Sequence, residues 1–358
     1  MQKRRLGKTE LMVSPIGYGA LGLAGVTPES LRQAVDGGIN YIDSARLYTD
    51  SEKKIGLMFK ETGYRDRVIL STKSMGRTLD CFRKDLVASL AALGTDYIDI
   101  FILHDVSTKK SWELIQKSKI IEEMKKLKER GIIKHMGVST HDGKNLSEEI
   151  IKSGYFEVAM LAYNAANPEL ESTLIPLAKS LDLGIIAMKP YGGGVLTEKR
   201  SRELGFEISA REALQWAVSN TDVSVVLPGM DSREYVGLAL DVLNSDFTFY
   251  NGDKLNEIAG RITIKGRNYC RGCGYCMPCP QNIPIKEMLK LNNRWEVYFG
   301  LDWSQMTLIN NEFANCIPED KGPERCTKCG GCVQKCPYGL AVPELMEQCV
   351  KIKNYKSS

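Results

Sequence analysis

The feature that most constrains the fold is a rhythm of short apolar runs and helix-period segments from about residue 15 to 245. The runs are "IGYGA" (16–20), "YIDSA" (41–45), "VILSTK" (68–73), "IDIFILH" (98–104), "HMGVST" (135–140), "VAMLAYN" (158–164), "GIIAMKP" (184–190) and "VSVVLPG" (223–229). Between them lie segments of helical period, such as "DCFRKDLVASLAAL" (80–93) and "SWELIQKSKIIEEMKKLKER" (111–130). "PESLRQAVDGG" opens on proline and closes on glycine, as helices do. Eight strands, each followed by a helix, predict an α/β protein with a parallel (β/α)8 barrel. Near-continuous apolar strands fit a sheet covered on both faces. An open doubly wound sheet is the alternative. It would place a glycine-rich phosphate turn after its first strand. "GYGALGLAG" has the glycines but no suitably placed acid to complete that pattern. "RRLGKTELMVS" reads as a two-strand hairpin ahead of the barrel, closing its bottom.

Cysteine usage divides the chain. Of 11 cysteines only Cys81 precedes residue 270. "CRGCGYCMPCP" and "CTKCGGCVQKCP" then hold eight of them in two tight runs. The N-terminus has no apolar stretch behind its basic residues, so no export signal is read. No apolar run approaches the ~18 residues of a membrane helix. A cytoplasmic setting follows, which disfavours disulfides and favours metal binding. A net charge of +4 gives no support for nucleic acid or an anionic membrane as partner. Structural zinc uses separated C-x2-C pairs, whereas the iron–sulfur pattern is C-x2-C-x2-C-x3-C-P, its fourth cysteine ligating the other cluster. Cys326, Cys329, Cys332, Cys336 and Pro337 match that pattern fully. Cys270, Cys273, Cys276, Cys279 and Pro280 match it with the last gap one residue short. Two [4Fe-4S] clusters with crossed wiring are expected: Cys270, Cys273, Cys276 and Cys336 for one, Cys326, Cys329, Cys332 and Cys279 for the other. Cys316 is the substitute for Cys279, and zinc or an incomplete cluster is the competing reading. The expected domains are a barrel over 1–245, a helical connector over 246–268 and a cluster module over 269–358, with helical character across 283–315.

Catalytic groups of such barrels lie at the C-terminal ends of strands. Those ends offer Asp43 with Tyr48 five residues on, Lys73, and His104. Their chemistry is coherent. A phenol of pKa ~10 is a poor acid at neutral pH, and a nearby ammonium lowers that value. A carboxylate holds the ammonium, and an imidazole orients a carbonyl oxygen. Carbonyl reduction is the natural reaction.

"NYIDSARLYTDSEKKIG" (40–56), "LSTK" (70–73), "FILHD" (101–105), "GVST" (137–140), "YN" (163–164) and "PGMDS" (228–232) resemble stretches of the aldo-keto reductases. The resemblance covers roughly residues 4–245. It implies a TIM barrel, NAD(P)H bound without a Rossmann domain, and Tyr48 as proton donor supported by Lys73, Asp43 and His104. It implies a dinucleotide held at Gly19 and Ala20, at Ser139 and Asn164, at Met188, Lys189, Tyr191 and Gly193, and at Pro228, Gly229, Met230 and Ser232. The pocket departs from the family pattern. Met160 stands where many members have a glutamine, and Met188 where many stack an aromatic ring. Asp231 lies where a 2′-phosphate would need a cation, with Arg233 as the substitute. Gly237-Leu238 replaces a Glu-Asn pair. NAD, NADP and a flavin in place of or alongside them all stay open. The tail is similar to bacterial dicluster ferredoxins of the α-helical variety, and reductases with such a tail form a subgroup.

The expected function is hydride transfer between a nicotinamide and a small carbonyl or alcohol, the clusters either stapling the tail or exchanging electrons with a redox partner protein. The alternative is an electron-transfer or redox-sensing protein whose barrel has lost most catalysis.

Overall fold

Eight parallel strands follow one another around a single sheet: β3 (Tyr18–Gly19), β4 (Tyr41–Asp43), β5 (Ile69–Ser74), β6 (Ile98–Leu103), β7 (Ile133–Thr140), β8 (Val158–Ala162), β9 (Gly184–Met188) and β10 (Val225–Leu227). The last strand returns to the first through parallel bridges Ile16–Val226 and Gly19–Gly229, so the sheet closes into a barrel. The structure is a computed structural model. It describes residues 2–21, 26–141, 145–166, 168–203, 207–230, 232–244, 250–265, 270, 274–298, 317–336 and 339–354.

The chain falls into two compact units, Met1–Gly192 with Ser209–Asn256, and Gly193–Ile208 with Glu257–Ser358. In the first, four of the helices between strands start on side-chain caps. Thr27, Thr78, Thr108 and Ser209 each accept an N–H three residues on, which satisfies a donor the first turn cannot pair. Within the barrel, side chains alternate inward. Tyr41, Ile100, Ile102, Val158, Met160, Ile186, Val225 and Leu227 fill it, as a packed core and not a pore. Asp43 continues the parity of Tyr41, and Ser71 and Lys73 sit in register with Asp43 and Ile102. Hydrophobic layers thus give way to polar ones at the C-terminal end.

The expected hairpin is present as β1 (Arg4–Arg5) and β2 (Met12–Val13). Its Leu6 and Val13 join the barrel core, both fully buried. Gly7 has φ +51°, and a Cβ there would lie 2.2 Å from the Gly184 nitrogen. Arg4 donates to the carbonyls of Val218 and Val223, each at 2.7 Å.

The second unit has its own core. Helices Ile285–Tyr298 and Val342–Lys353 pack together around Met288, Leu289, Val342, Met346 and Cys349. The connector region forms helix Gly252–Lys265. Residues 299–316, half of the expected helical insertion, lie outside the described residues. Among the described residues no helix is long and apolar enough to cross a membrane.

Candidate active site and cysteine cavity

Asp43 ends β4, and its carboxylate is 2.6 Å from the Lys73 ammonium near the end of β5. Both side chains are buried, Lys73 at 1% exposure and Asp43 at 6%. The Ser71 hydroxyl donates to the other carboxylate oxygen at 2.7 Å. Lys73 spends its remaining donors on the Ser44 carbonyl, at 2.6 Å, and the Tyr48 hydroxyl, at 3.5 Å. Burial works against the Lys73 charge, but Asp43 and Tyr48 outweigh it and hold its pKa above the usual lysine value. Burial also raises the Asp43 carboxyl, against the pull of Lys73 and Ser71.

Tyr48 stands in the irregular segment after β4, and the Lys73 ammonium also lies 4.8 Å from its ring centroid. His104 follows β6 and meets Tyr48 edge to face at 5.8 Å between centroids. Burial, then the Lys73 charge, lowers the His104 pKa to about 3. The imidazole is therefore neutral at physiological pH. Its Nδ1 is buried without a hydrogen-bond partner. The four residues chosen from strand ends are thus in contact at one rim.

The expected dinucleotide residues fall into three groups. Gly19 and Ala20 adjoin Pro228, Gly229 and Met230 along the closing seam, where Gly19 N–H donates to Pro228 O and Met230 N–H to Gly19 O, both at 3.2 Å. Ser232 accepts an N–H from Tyr235. Ser139 and Asn164 are buried and already engaged. Ser139 Oγ accepts the Asp105 N–H at 2.9 Å, and Asn164 bonds Lys189 O and Ala166 N. Each retains hydrogen-bonding capacity, the hydroxyl proton of Ser139 and part of the Asn164 amide. Met188 packs against the barrel core, and Tyr191 lies 5.5 Å from the Tyr235 ring. Gly193, with φ +72°, belongs to the second unit. Asp231 lies outside the described residues. Inspection of motifs missed Ser71, the Ser44 carbonyl and Arg77, which donates to the carbonyl oxygens of His104 and Asp105. Only the inward parity of Ser71 signalled any of them.

In the second unit, one cavity of about 60 Å³ is lined by Cys276, Cys279, Cys326, Cys329 and Cys332. Asn293 clamps the backbone of Cys270, donating to its carbonyl and accepting its N–H. Cys336 packs on the same core. Cys273 and Cys316 lie outside the described residues. Among the described residues no three Cys, His, Asp or Glu side chains converge on a single-ion site. A tetrahedral zinc at ~2.3 Å from each sulfur needs ligands about 3.8 Å apart. Five cysteines lining one cavity, none of them grouped as a single ion requires, fit a polynuclear cluster better. Cys349 is fully buried, and burial, then neighbouring Cys270, pushes its thiol up to about 12.

A closed (β/α)8 barrel thus gathers Asp43, Lys73, Tyr48 and His104 at its rim. Residues 15–212, more than half of the chain, match the aldo/keto reductase family, and the chain belongs to that family. Residues 269–342 match the 4Fe-4S dicluster domain. The chain is 28% identical over 228 residues to the aldo-keto reductase str7 of Strobilurus tenacellus, covering 57% of this chain and 65% of that protein. It is 29% identical over 277 residues to the L-galactose dehydrogenase of Arabidopsis thaliana, covering 66% and 86%. Among solved structures, the Klebsiella pneumoniae aldo/keto reductase in complex with NADP and acetate superposes with a TM-score of 0.59 at 23% identity, over 74% of this chain and 95% of that one. At that identity the likeness is one of fold.

Proposed function

We propose that the protein is a nicotinamide-dependent carbonyl reductase, run in reverse as an alcohol dehydrogenase, with two [4Fe-4S] clusters in its C-terminal module. The observation that carries this reading is the chain of contacts from Asp43 through Lys73 to the Tyr48 hydroxyl, with His104 against the Tyr48 ring. A bound nicotinamide supplies hydride to the carbonyl carbon, and clusters exchange single electrons. Tyr48 delivers the proton to the carbonyl oxygen, its phenolate form favoured by the Lys73 ammonium. Asp43 and the Ser44 carbonyl hold that ammonium in place. The neutral imidazole of His104 donates to the carbonyl oxygen and orients it. Such a tuned proton donor typically contributes ~10²–10⁴-fold.

The nicotinamide carboxamide is assigned to Ser139 and Asn164 through their remaining donors and acceptors. The phosphates are assigned to the seam of Gly19, Ala20 and Pro228 to Met230 with Ser232, and the flank to Met188, Lys189 and Tyr191. NADP is favoured by the NADP-bound structural relative. Cys326, Cys329, Cys332 and Cys279 would hold one cluster, since all four line one cavity. Cys270, Cys273, Cys276 and Cys336 would hold the other. The corresponding domains are 1–245, 246–268 and 269–358, in a reducing cytoplasmic compartment with a one-electron carrier as partner.

Anaerobic protein is assayed for NADPH- and NADH-dependent reduction of 4-nitrobenzaldehyde, with Tyr48→Phe beside it. At least a hundredfold loss in Tyr48→Phe, with the iron–sulfur absorbance unchanged, is expected. Equal rates in the two proteins would sink the reductase reading.

A further inference from the structure

The loop after β5 is held more firmly than an ordinary surface turn. Ser74 Oγ donates to the Asp85 carboxylate at 2.6 Å and accepts the Gly76 N–H at 2.9 Å. A Cβ on Gly76 would lie 2.6 Å from the Phe82 backbone nitrogen, so only glycine lets the loop approach that closely. The result is to aim Arg77 across the barrel rim. Its guanidinium donates to the carbonyl oxygens of His104 and, at 3.1 Å, Asp105. It also donates to Ser111 Oγ at 2.6 Å and to Met75 O at 3.1 Å. Its donors thus go to carbonyls and a hydroxyl, with no carboxylate partner among the described residues. Burial lowers its pKa, a cost that a merely solvated arginine would not bear.

What the guanidinium grips needs gripping. Asp105 sits at φ +51°, a left-handed conformation uncommon for any residue but glycine. Ser139 fixes the same turn from the other side, accepting Asp105 N–H at 2.9 Å on its hydroxyl and Val106 N–H at 2.8 Å on its carbonyl. The Ser107 hydroxyl donates to the Asp105 carboxylate. The His104 N–H is spent on Ser74 O at 2.9 Å. The ring nitrogen Nδ1 is buried with no hydrogen-bond partner among the described residues, so no described hydrogen bond at that nitrogen sets the ring orientation. Beyond the edge-to-face contact with Tyr48, orientation comes from the backbone that carries the ring.

Resting on the reductase reading above, we infer that Arg77 is the positioning residue for His104: it pins the strained His104–Asp105 turn and thereby aims the imidazole at the substrate oxygen. Arg77 touches neither substrate nor cofactor in this scheme.

The test uses the full chain carrying its clusters. Arg77→Met keeps much of the volume and removes every donor; Arg77→Lys keeps the charge without the fork. With 4-nitrobenzaldehyde and NADPH, Arg77→Met is expected to lose about 10–100-fold in kcat, with the NADPH dissociation constant, read by fluorescence, unchanged. Arg77→Ala should regain part of that rate in guanidinium at concentrations well below denaturing. In a His104→Ala background the Arg77→Met change should cost nothing further, because its effect runs through the imidazole. Losses that multiply in the double variant, or a weakened NADPH affinity, overturn the inference.

A readout without turnover keeps the inference testable whatever the substrate. The chain has only three histidines, His104, His135 and His141. In protein labelled with ¹⁵N-histidine, Arg77→Met should move the ring signals of His104 and leave those of His135, which is tied to Glu157 at 2.8 Å. An unmoved His104 ring refutes the inference. If Tyr48→Phe abolishes reduction but Arg77→Met does not change it, only the inference fails. If Tyr48→Phe is silent, the reductase reading itself fails.

Discussion

Lys73→Met separates what the buried ion pair does for stability from what it does for chemistry. Methionine matches the lysine stem but removes the ammonium 2.6 Å from Asp43, leaving a carboxylate with 6% side-chain exposure and one remaining donor, Ser71. Breaking a buried pair from one side costs about 3–5 kcal/mol. For a unit of this size, at roughly 2–4 °C per kcal/mol, the barrel should melt roughly 6–20 °C lower. The melt is followed by near-UV circular dichroism, to which the fully buried Trp112 and Trp216 of this unit contribute. The deficit has a sign in pH. In the variant the buried Asp43 prefers its neutral form, while in the unfolded chain it ionises near pH ~3.9. The loss therefore opens as pH rises above about 4 and closes below it. Asp43→Leu added to Lys73→Met should recover most of the stability, because replacing both partners by apolar groups is often neutral or better. The double variant should still be at least a hundredfold slower in carbonyl reduction. A stable, inactive double variant would mean the pair is kept for Tyr48. A deficit independent of pH, or a double variant no more stable than the single, would refute the reasoning.

Two further outcomes are expected. Burial pushes the Glu157 carboxyl up, but hydrogen bonds from His135, Lys128 and the Met136 N–H outweigh it and leave its pKa at about 2. The native carboxylate is thus favoured above the ordinary value, so stability of about 3 kcal/mol at most is lost as pH falls from about 4.5 to about 2; acid denaturation of Glu157→Gln should lack that component. Cys326→Ser should lower bound iron by about half, while Cys349→Ser should leave it unchanged; iron analysis with absorbance near 400 nm reads both, and equal losses would argue against the wiring.

The barrel was legible because its strands are apolar runs of regular spacing, a pattern that depends on side chains alone. The strand ends carried Asp43, Lys73 and His104, and hence three members of the rim. Tyr48 was harder. It follows β4 in irregular chain, where no period links it to Lys73, and only its place five residues beyond Asp43 at the strand end marked it. The Ser44 carbonyl could not be read at all, since a backbone acceptor is indifferent to the residue that bears it. Arg77 was hidden for a related reason: its partners at His104, Asp105 and Met75 are carbonyls, and a long side chain in a loop shows no preference for one of them in sequence. In the module, spacing brought Cys326, Cys329 and Cys332 together with Cys279, but could not show that Asn293 fastens Cys270.

The stopper beneath the barrel has a kinetic consequence. Arg4 finds Asn220 across 216 positions of chain, and Gly7 meets Leu183. The hairpin must therefore wait for its seat until nearly the whole barrel has been synthesised. Until then Leu6 and Val13 are apolar and uncovered, and the lower mouth of the nascent cylinder is open to water. Sealing that mouth is a late, long-range event, and it makes the hairpin the latch of the barrel instead of its nucleus.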